Sequence, residues 1–277
     1  MKRPRSPTQP RPFAERVIIV TGAGGGIGRA VCVLLAERGA KIVAADINRE
    51  AVDATAKSCE DALAITVDVS SEPSVDALVA ATVKRFGRVD GAVNAAGIEG
   101  QRARLHDTSV ENYERVTGIN LKGVFLCMRA VIAQMLKQSP TPDGIASASG
   151  SVPDAKIDAL NYAIVNVSSA AGLGGMPEFC CYSASKHAIQ GLTKSAAREY
   201  AADGIRVCAV CPSTTATPMV DRFTAQWPEW QARQNASFPV GRVGRAEEVA
   251  AACAFLLSAE CPMMTGTSIT IDGGLSA

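Results

Sequence analysis

The stretch that most constrains this chain is a short β-branched run followed at once by glycines. Val17-Ile18-Ile19-Val20 reads as a buried strand. Thr21-Gly22-Ala23-Gly24-Gly25-Gly26-Ile27-Gly28 comes straight after it, and a helical pattern then runs from Ala30 to Arg38 and stops at Gly39. A glycine run alone is only a turn. Between a strand and a helix it forms a cradle for phosphate: main-chain N–H groups and the helix N-terminus face the anion, and the missing Cβ atoms let a pyrophosphate approach. Gly22, Gly24, Gly26, Ile27 and Gly28 are the expected contacts.

A second strand, Lys41 to Ala45, ends at Asp46, which is 46 − 28 = 18 residues past the last loop glycine. That is near the roughly 20-residue offset of an acid that binds the adenosine ribose in dinucleotide folds. A carboxylate there accepts from the 2′- and 3′-hydroxyls and repels a 2′-phosphate. At about 4 Å and an effective dielectric near 20, each unit-charge pair is worth about 4 kcal/mol. No Lys or Arg lies inside the glycine loop, although Arg29 and Arg49 stand close by. The expected cofactor is NAD, with NADP the weaker ligand, and Ile47 accompanies Asp46.

The β/α alternation continues along the chain. Leu63 to Val67 is a strand leading to Asp68-Val69, and Ser71 to Phe86 is a helix with Ser71 at its N-cap. Val89 to Val93 runs into Asn94-Ala95-Ala96-Gly97, whose small residues let a ligand lie against the backbone. Glu111 to Lys137 reads as one helix with Asn120 midway, and Asn is a poor interior helix residue that asks for a reason. Tyr162 to Val167 is a strand before Ser168-Ser169. A helix follows from Tyr182 to about Ala202, then a strand from Ile205 to Val210, a helix from Ala246 to Ser258 and a last strand from Ser268 to Ile271. Strands alternating with helices, without repeats, predict one doubly wound α/β domain with a parallel sheet and helices on both faces.

Two stretches interrupt the pattern. Residues 138–159 hold three prolines and a run of serines, and read as a surface insertion rather than a linker, because the alternation resumes after it. Residues 217–244 contain Trp227 and Trp230 and read as an irregular lid. The basic, proline-rich residues 1–13 read as a disordered tail, with the domain proper over 14–277.

Composition excludes several classes. Twenty-eight basic against 27 acidic residues leave a net charge of +1, so no strong field calls for nucleic acid or anionic lipid. No run of about 18 apolar residues argues for a membrane span. His106 and His187 are the only histidines, and the nine cysteines have no zinc-site spacing. Buried, reduced thiols fit a reducing, cytoplasmic setting.

Tyr182-Ser183-Ala184-Ser185-Lys186 places a phenol and an ammonium on one helix face, since i and i+4 are one turn apart. A neighbouring cation favours phenolate and is expected to lower the tyrosine pKa from about 10. Such a tyrosine can exchange a proton with an alcohol or carbonyl oxygen. Taken alone the pair is equally a solvated helix face.

Together these residues resemble the short-chain dehydrogenase/reductase superfamily over roughly residues 13–276. Its T-G-x-x-x-G-x-G stands as Thr21 to Gly28, its adenine-side acid as Asp68, its N-A-A-G as Asn94 to Gly97 and its helix asparagine as Asn120. Its serine, thirteen residues before the tyrosine, is Ser169 rather than Ser168; its Y-x-x-x-K is Tyr182 and Lys186; its D-G-G is Asp272 to Gly274. One departure is Cys211-Pro212-Ser213-Thr214-Thr215-Ala216-Thr217, where the family has N-P-G-x-I/V-x-T. Were φ positive at Ser213, serine would cost about 1 kcal/mol there.

The resemblance implies an NAD(P)-dependent oxidoreductase that interconverts a secondary alcohol and a ketone. Tyr182 would be the general base, Lys186 would lower its pKa and bind the nicotinamide ribose, Ser169 would bond the substrate oxygen, and Asn120 would hold a water on a proton path. Val69, Asn94, Ala95, Gly97, Pro212, Thr215 and Thr217 complete the cofactor set. Met176, Glu178, Phe179, Met219, Phe223 and Trp227 would wall a pocket for a bulky alicyclic, steroid-like or terpenoid substrate. The enzyme alternative is an NADPH-dependent carbonyl or 3-oxoacyl reductase; the other is an NAD-binding scaffold without turnover. Similar proteins are usually homotetramers.

Overall fold

In a computed structural model, which describes residues 12–138, 162–227 and 238–277, the buried runs pair as a parallel sheet. Its strands are β1 (Val17–Thr21), β2 (Lys41–Asp46), β3 (Ala62–Thr66), β4 (Gly91–Asn94), β5 (Tyr162–Val167), β6 (Ile205–Pro212) and β9 (Ser268–Ile271). Their order is β3-β2-β1-β4-β5-β6-β9, every pairing parallel. Two residues each of β7 (Thr215–Ala216) and β8 (Gly244–Arg245) form a separate bridge. Helices α1 (Gly26–Glu37), α2 (Arg49–Lys57), α3 (Glu72–Phe86), α4 (Val110–Thr117), α5 (Gly123–Met135), α6 (Cys180–Tyr200), α7 (Pro218–Gln226) and α8 (Ala246–Leu257) cover both faces.

This layering explains the sequence pattern. β1, β4, β5 and β6 are buried along their whole length, so they read as continuous apolar runs rather than alternating ones. One face packs Val31 and Leu35 of α1 against Val249 and Leu256 of α8, and the other packs Leu78, Val131, Met135 and Ile189. The strand order reverses between β1 and β4, which opens a crevice at their carboxyl ends where such sheets bind ligands.

Several expectations need correction. Phe13 is fully buried, and its N–H bonds to the Arg38 carbonyl, so the domain includes it and the tail ends earlier. Ser71 occupies the N-cap of α3, but its side chain makes no capping bond. α2 was not foreseen; Asn48 caps it by accepting from Ala51 N. The segment after Thr217 is not irregular throughout, because α7 occupies its first part. The insertion, apart from Gln138, and Trp230 lie outside the described residues.

Residues 110–135 form a continuous helical stretch, apolar enough by length and composition to cross a bilayer, but half of its most apolar window is buried within the protein. The stretch is not one α-helix. Gly118–Lys122 is a π turn between α4 and α5, which answers the question Asn120 posed. Its Oδ1 accepts from Ile98 N (2.8 Å), and its Nδ2 donates to the Ile98 carbonyl (2.8 Å) and the Ser185 hydroxyl (3.2 Å). π turns recur where a helix must aim a side chain at a fixed point.

All nine cysteines are free. Cys208 and Cys211 follow the strand without pairing, and desolvation raises the pKa of both.

Candidate active site

The glycine loop is shaped by contacts that forbid a side chain. Gly22 has φ +69°, and a Cβ there would lie 2.7 Å from Ala96 N. At Gly28 a Cβ would meet the Gly22 carbonyl oxygen at 2.2 Å, so β1 and α1 approach closely only because both positions are glycine. The first turn of α1 has no side-chain cap and no acidic residue. An unpaired helix N-terminus behind a glycine cradle suits a pyrophosphate.

Asp46 ends β2 beside that loop. Its Oδ2 accepts from Gly24 N and its Oδ1 from Asn48 N, both at 2.9 Å. Two main-chain donors thus fix the carboxylate in place. Ile47 is exposed next to it. Asp68 is oriented by Ser70, whose N–H and hydroxyl both donate to Oδ1. The Val69 side chain packs on α5, where a Cβ at Gly123 would lie 2.8 Å from Val69 Cγ2. Nor does the Asn94 side chain reach the cavity. It is buried between strands and donates to Asn166, which donates in turn to Thr193. These residues fit a dinucleotide along the carboxyl ends of β1, β2 and β4.

Beside the loop opens a cavity of about 760 Å³. The ends of β4, β5 and β6 supply Ala95, Gly97, Ser169, Pro212 and Thr215, α6 supplies Tyr182 and Lys186, and Met219 and Val220 come from α7. Thr217 also leans on the glycine loop, 3.0 Å from where a Gly26 Cβ would stand. Thus Ser169, Tyr182 and Lys186 converge on one space although they come from two elements.

The two adjacent serines divide their tasks. Ser168 is buried; its hydroxyl donates to the Lys186 carbonyl (2.9 Å) and accepts from Gln190 Nε2 (2.9 Å). The Ser169 hydroxyl accepts from Ala171 N at 3.1 Å and lies close enough to Tyr182 to favour its ionised form. Gly97 lets the β4 loop reach the same corner, with Asn120 Oδ1 and Lys186 Nζ at 3.2 and 3.6 Å from its Cβ position. The Asn120 side chain bonds to Ile98 on the β4 loop and to Ser185 on α6, so it braces these two elements against each other.

The expected pKa coupling is not what the cofactor-free chain shows. Burial pushes the Tyr182 hydroxyl above the ordinary phenol range; the Ser169 hydroxyl opposes this and Glu99 adds to it. Lys186 sits 5.5 Å from the ring centroid and donates to the Val167 carbonyl at 2.8 Å. Burial brings its own pKa down to about 8, opposed by Cys211. A desolvated ammonium loses stability faster than a helical neighbour can profit from it.

This shift has a measurable consequence. Below pH 8 both the folded and unfolded chains hold the Lys186 proton, and the burial penalty is fully present. Between about 8 and the ordinary lysine value of 10.5 only the unfolded chain holds it, so stability rises with pH through that window. The unfolding free energy of the parent minus that of Lys186→Met is expected to grow by roughly 2 kcal/mol between pH 7 and 9.5. Urea titrations of both proteins at the two values measure it; a difference independent of pH contradicts the shift.

The cavity's outer wall corrects the substrate set. Met176, Phe179 and Met219 line it, joined by Leu173, Val220 and Leu275, which the sequence did not single out. Trp227 and Glu178 are not among the lining residues. The Glu178 carboxylate binds Arg102 (Nε at 2.6 Å), whose guanidinium carbon lies 5.4 Å over the Trp227 ring. Arg102 thereby joins three segments at the cavity mouth. Glu178 has φ +67°, while Ser213 does not have a positive φ, so the strain foreseen at Ser213 falls at Glu178 instead. Phe238 is buried away from the lining, and the Phe223 side chain lies outside the described residues.

Comparison with known proteins agrees with this geometry. Residues 16–142 match the family model described as short chain dehydrogenase, and residues 155–276 match that of enoyl-(acyl carrier protein) reductase. The chain is 38% identical to levodione reductase of Leifsonia aquatica, with 96% of each chain covered. It is 41% identical to cis-4-hydroxycyclohexanecarboxylate dehydrogenase of Sinomonas cyclohexanicum, over 96% of this chain and 98% of that one. A crystal structure of 3-ketoacyl-(acyl-carrier-protein) reductase from Brucella melitensis complexed with NADH is similar at a TM-score of 0.82 and 31% identity, covering 95% and 99% of the two chains. Full-length likeness, a parallel sheet with its glycine cradle, and a serine, tyrosine and lysine meeting in one cavity have a single explanation: this chain belongs to the short-chain dehydrogenase/reductase family of oxidoreductases, which work with a nicotinamide cofactor.

Proposed function

We propose that this protein is an NAD-linked dehydrogenase that oxidises a secondary alcohol on a bulky, apolar, alicyclic molecule, of alicyclic, steroid-like or terpenoid type. The observation that carries the reading is one cavity with two unlike kinds of lining. Ser169, Tyr182 and Lys186 line it together with the apolar Leu173, Met176, Phe179, Met219 and Val220. An apolar wall with a few convergent polar groups holds an apolar body while orienting one oxygen. The resemblance to a dehydrogenase whose name includes a cyclohexane ring supports the same class.

When bound, the nicotinamide supplies the hydride acceptor. Tyr182 would first release its own proton to solvent and, as the phenolate, take the alcohol's hydroxyl proton, while the Ser169 hydroxyl donates to the same substrate oxygen, where negative charge develops. Lys186, anchored on Val167 and 5.5 Å from the Tyr182 ring centroid, would hold the nicotinamide ribose through its ammonium. Asn120 holds the β4 loop and α6 in register, so that these groups keep their spacing. Reduction uses the same groups in reverse. Asp46 makes NAD the preferred cofactor, because its carboxylate, pinned by Gly24 N and Asn48 N, repels a 2′-phosphate.

Nine free cysteines suit a cytoplasmic setting. Exposed Val110, Tyr113 and Phe125 along α4 and α5 suit a homotetramer contact. The rival reading, an NADPH-dependent 3-oxoacyl reductase, draws on the likeness to the Brucella melitensis enzyme. Absorbance at the reduced-nicotinamide band, with NAD or NADP and a panel of alicyclic secondary alcohols, tests the reading. NAD-linked oxidation of ring alcohols is the expected result. Turnover confined to NADPH and acyl thioesters would overturn it.

A further inference from the structure

One carboxylate stands in the cavity wall. Among the lining residues Glu99 is the only acidic side chain, and the others are small, hydroxyl-bearing or apolar apart from Lys186. It follows Gly97 and Ile98 on the loop leaving β4, the same loop that Asn120 clamps at Ile98. Its position is therefore fixed by a buried bond network. Among the described residues its carboxylate has no hydrogen-bond or ion-pair partner, and it lies within electrostatic reach of the Tyr182 hydroxyl. By contrast Glu178, the other acid near this mouth, is held by Arg102.

A half-buried carboxylate on the wall of an open, mainly apolar cavity is satisfied by a bound group that donates to it and not by an apolar one. A carboxylate accepts hydrogen bonds and offers none. We propose that Glu99 is a specificity-determining residue that accepts a hydrogen bond from a second hydroxyl of the substrate. The site then takes an alicyclic diol in preference to the matching mono-alcohol, and disfavours alcohols that carry a carboxylate. Arg222, the cation on α7 that could pair such an anion, is exposed and does not line the cavity. The inference rests on the reading that Ser169 and Tyr182 hold the reacting oxygen, and it extends that reading to the far side of the substrate.

The same placement affects the phenol. The titratable groups around Tyr182 are Glu99 on the β4 loop, Lys186 on its own helix with Cys211 behind it, and Cys180 and Cys181 in the preceding turn. Removing the Glu99 charge takes away one cause that raises the phenol.

The test compares cyclohexane-1,2-diol, cyclohexanol and 4-hydroxycyclohexanecarboxylate as NAD-linked substrates of the parent, Glu99→Gln and Glu99→Leu. The expected parent preference in kcat/KM for diol over cyclohexanol is about ten- to hundredfold, the range of a hydrogen bond to a charged group. Glu99→Leu is expected to abolish that ratio, and Glu99→Gln to reduce it and improve the carboxylate-bearing alcohol. The alkaline rise of kcat/KM for cyclohexanol should move to lower pH in both variants, a displacement that a merely structural role would not produce. Circular dichroism melting of each variant reports folding separately. An unchanged diol ratio in a folded Glu99→Gln protein, or a parent without diol preference, overturns the role of Glu99 and leaves the dehydrogenase reading standing. Absence of any alcohol turnover in the parent sinks both, and is told apart by the cyclohexanol arm.

Discussion

Tyr182→Phe is expected to lower kcat for alcohol oxidation by about 10²- to 10⁴-fold while leaving the fold and cofactor affinity near the parental level. That is the range general acid–base groups contribute. The ring stays, so packing in the cavity is kept; only the hydroxyl beside Ser169 goes. The substitution removes the one proton acceptor beside the substrate oxygen, and Ser169, a donor at that point, cannot replace it. Single-turnover absorbance with saturating NAD, alongside a binding titration of the cofactor, separates chemistry from affinity. A variant that turns over at the parental rate removes Tyr182 from the reaction. Because burial raises the phenol in the cofactor-free chain, tyrosinate absorbance should stay absent at pH 8 before ligands bind, in the parent and the variant alike.

The second large effect concerns cofactor choice. Asp46→Ser is expected to shift the NAD/NADP ratio of kcat/KM toward NADP by roughly 30- to 1000-fold, since a unit charge facing a phosphate at this half-exposed position is worth about 2–4 kcal/mol. The carboxylate is pinned by Gly24 N and Asn48 N, so it cannot swing away from an incoming 2′-phosphate. Once it is removed, Arg49 becomes a partner for that phosphate, because its exposed pair with Asp53 is weak and exchangeable. Initial rates with each cofactor across a concentration series read the shift. A variant that keeps the parental ratio would show that some other group excludes NADP.

How much was legible before folding depends on the range over which each residue acts. The glycine cradle, Asp46 and the Tyr182–Lys186 pair lie within single βα units, where spacing in the chain fixes spacing in space. Ser169 was separable from Ser168 by its distance from the tyrosine in the chain. The structure supplies the physical reason, as Ser168 is committed to Lys186 and Gln190. Arg102 was invisible because its partners Glu178 and Trp227 are 76 and 125 residues away in the chain. Glu99 was passed over for the same reason: nothing local marks a loop acid as facing a cavity. Asn120 was noticed as an odd interior helix residue, but its bracing bonds to Ile98 and Ser185 were not foreseen, since a π turn is not written in residue types.

The amino-acid sequence by itself determined the alternating layers and the glycine cradle, because strand and helix periods are local geometry, while Ser169, Tyr182 and Lys186 stood out through the resemblance to a known family. Only the tertiary structure decided the protonation tendencies of Tyr182 and Lys186, the clasp at Arg102 and the exposure of Glu99 to the cavity. Desolvation and charge pairing depend on what lies across the space around a group, and that is set by packing between distant elements rather than by neighbours along the chain.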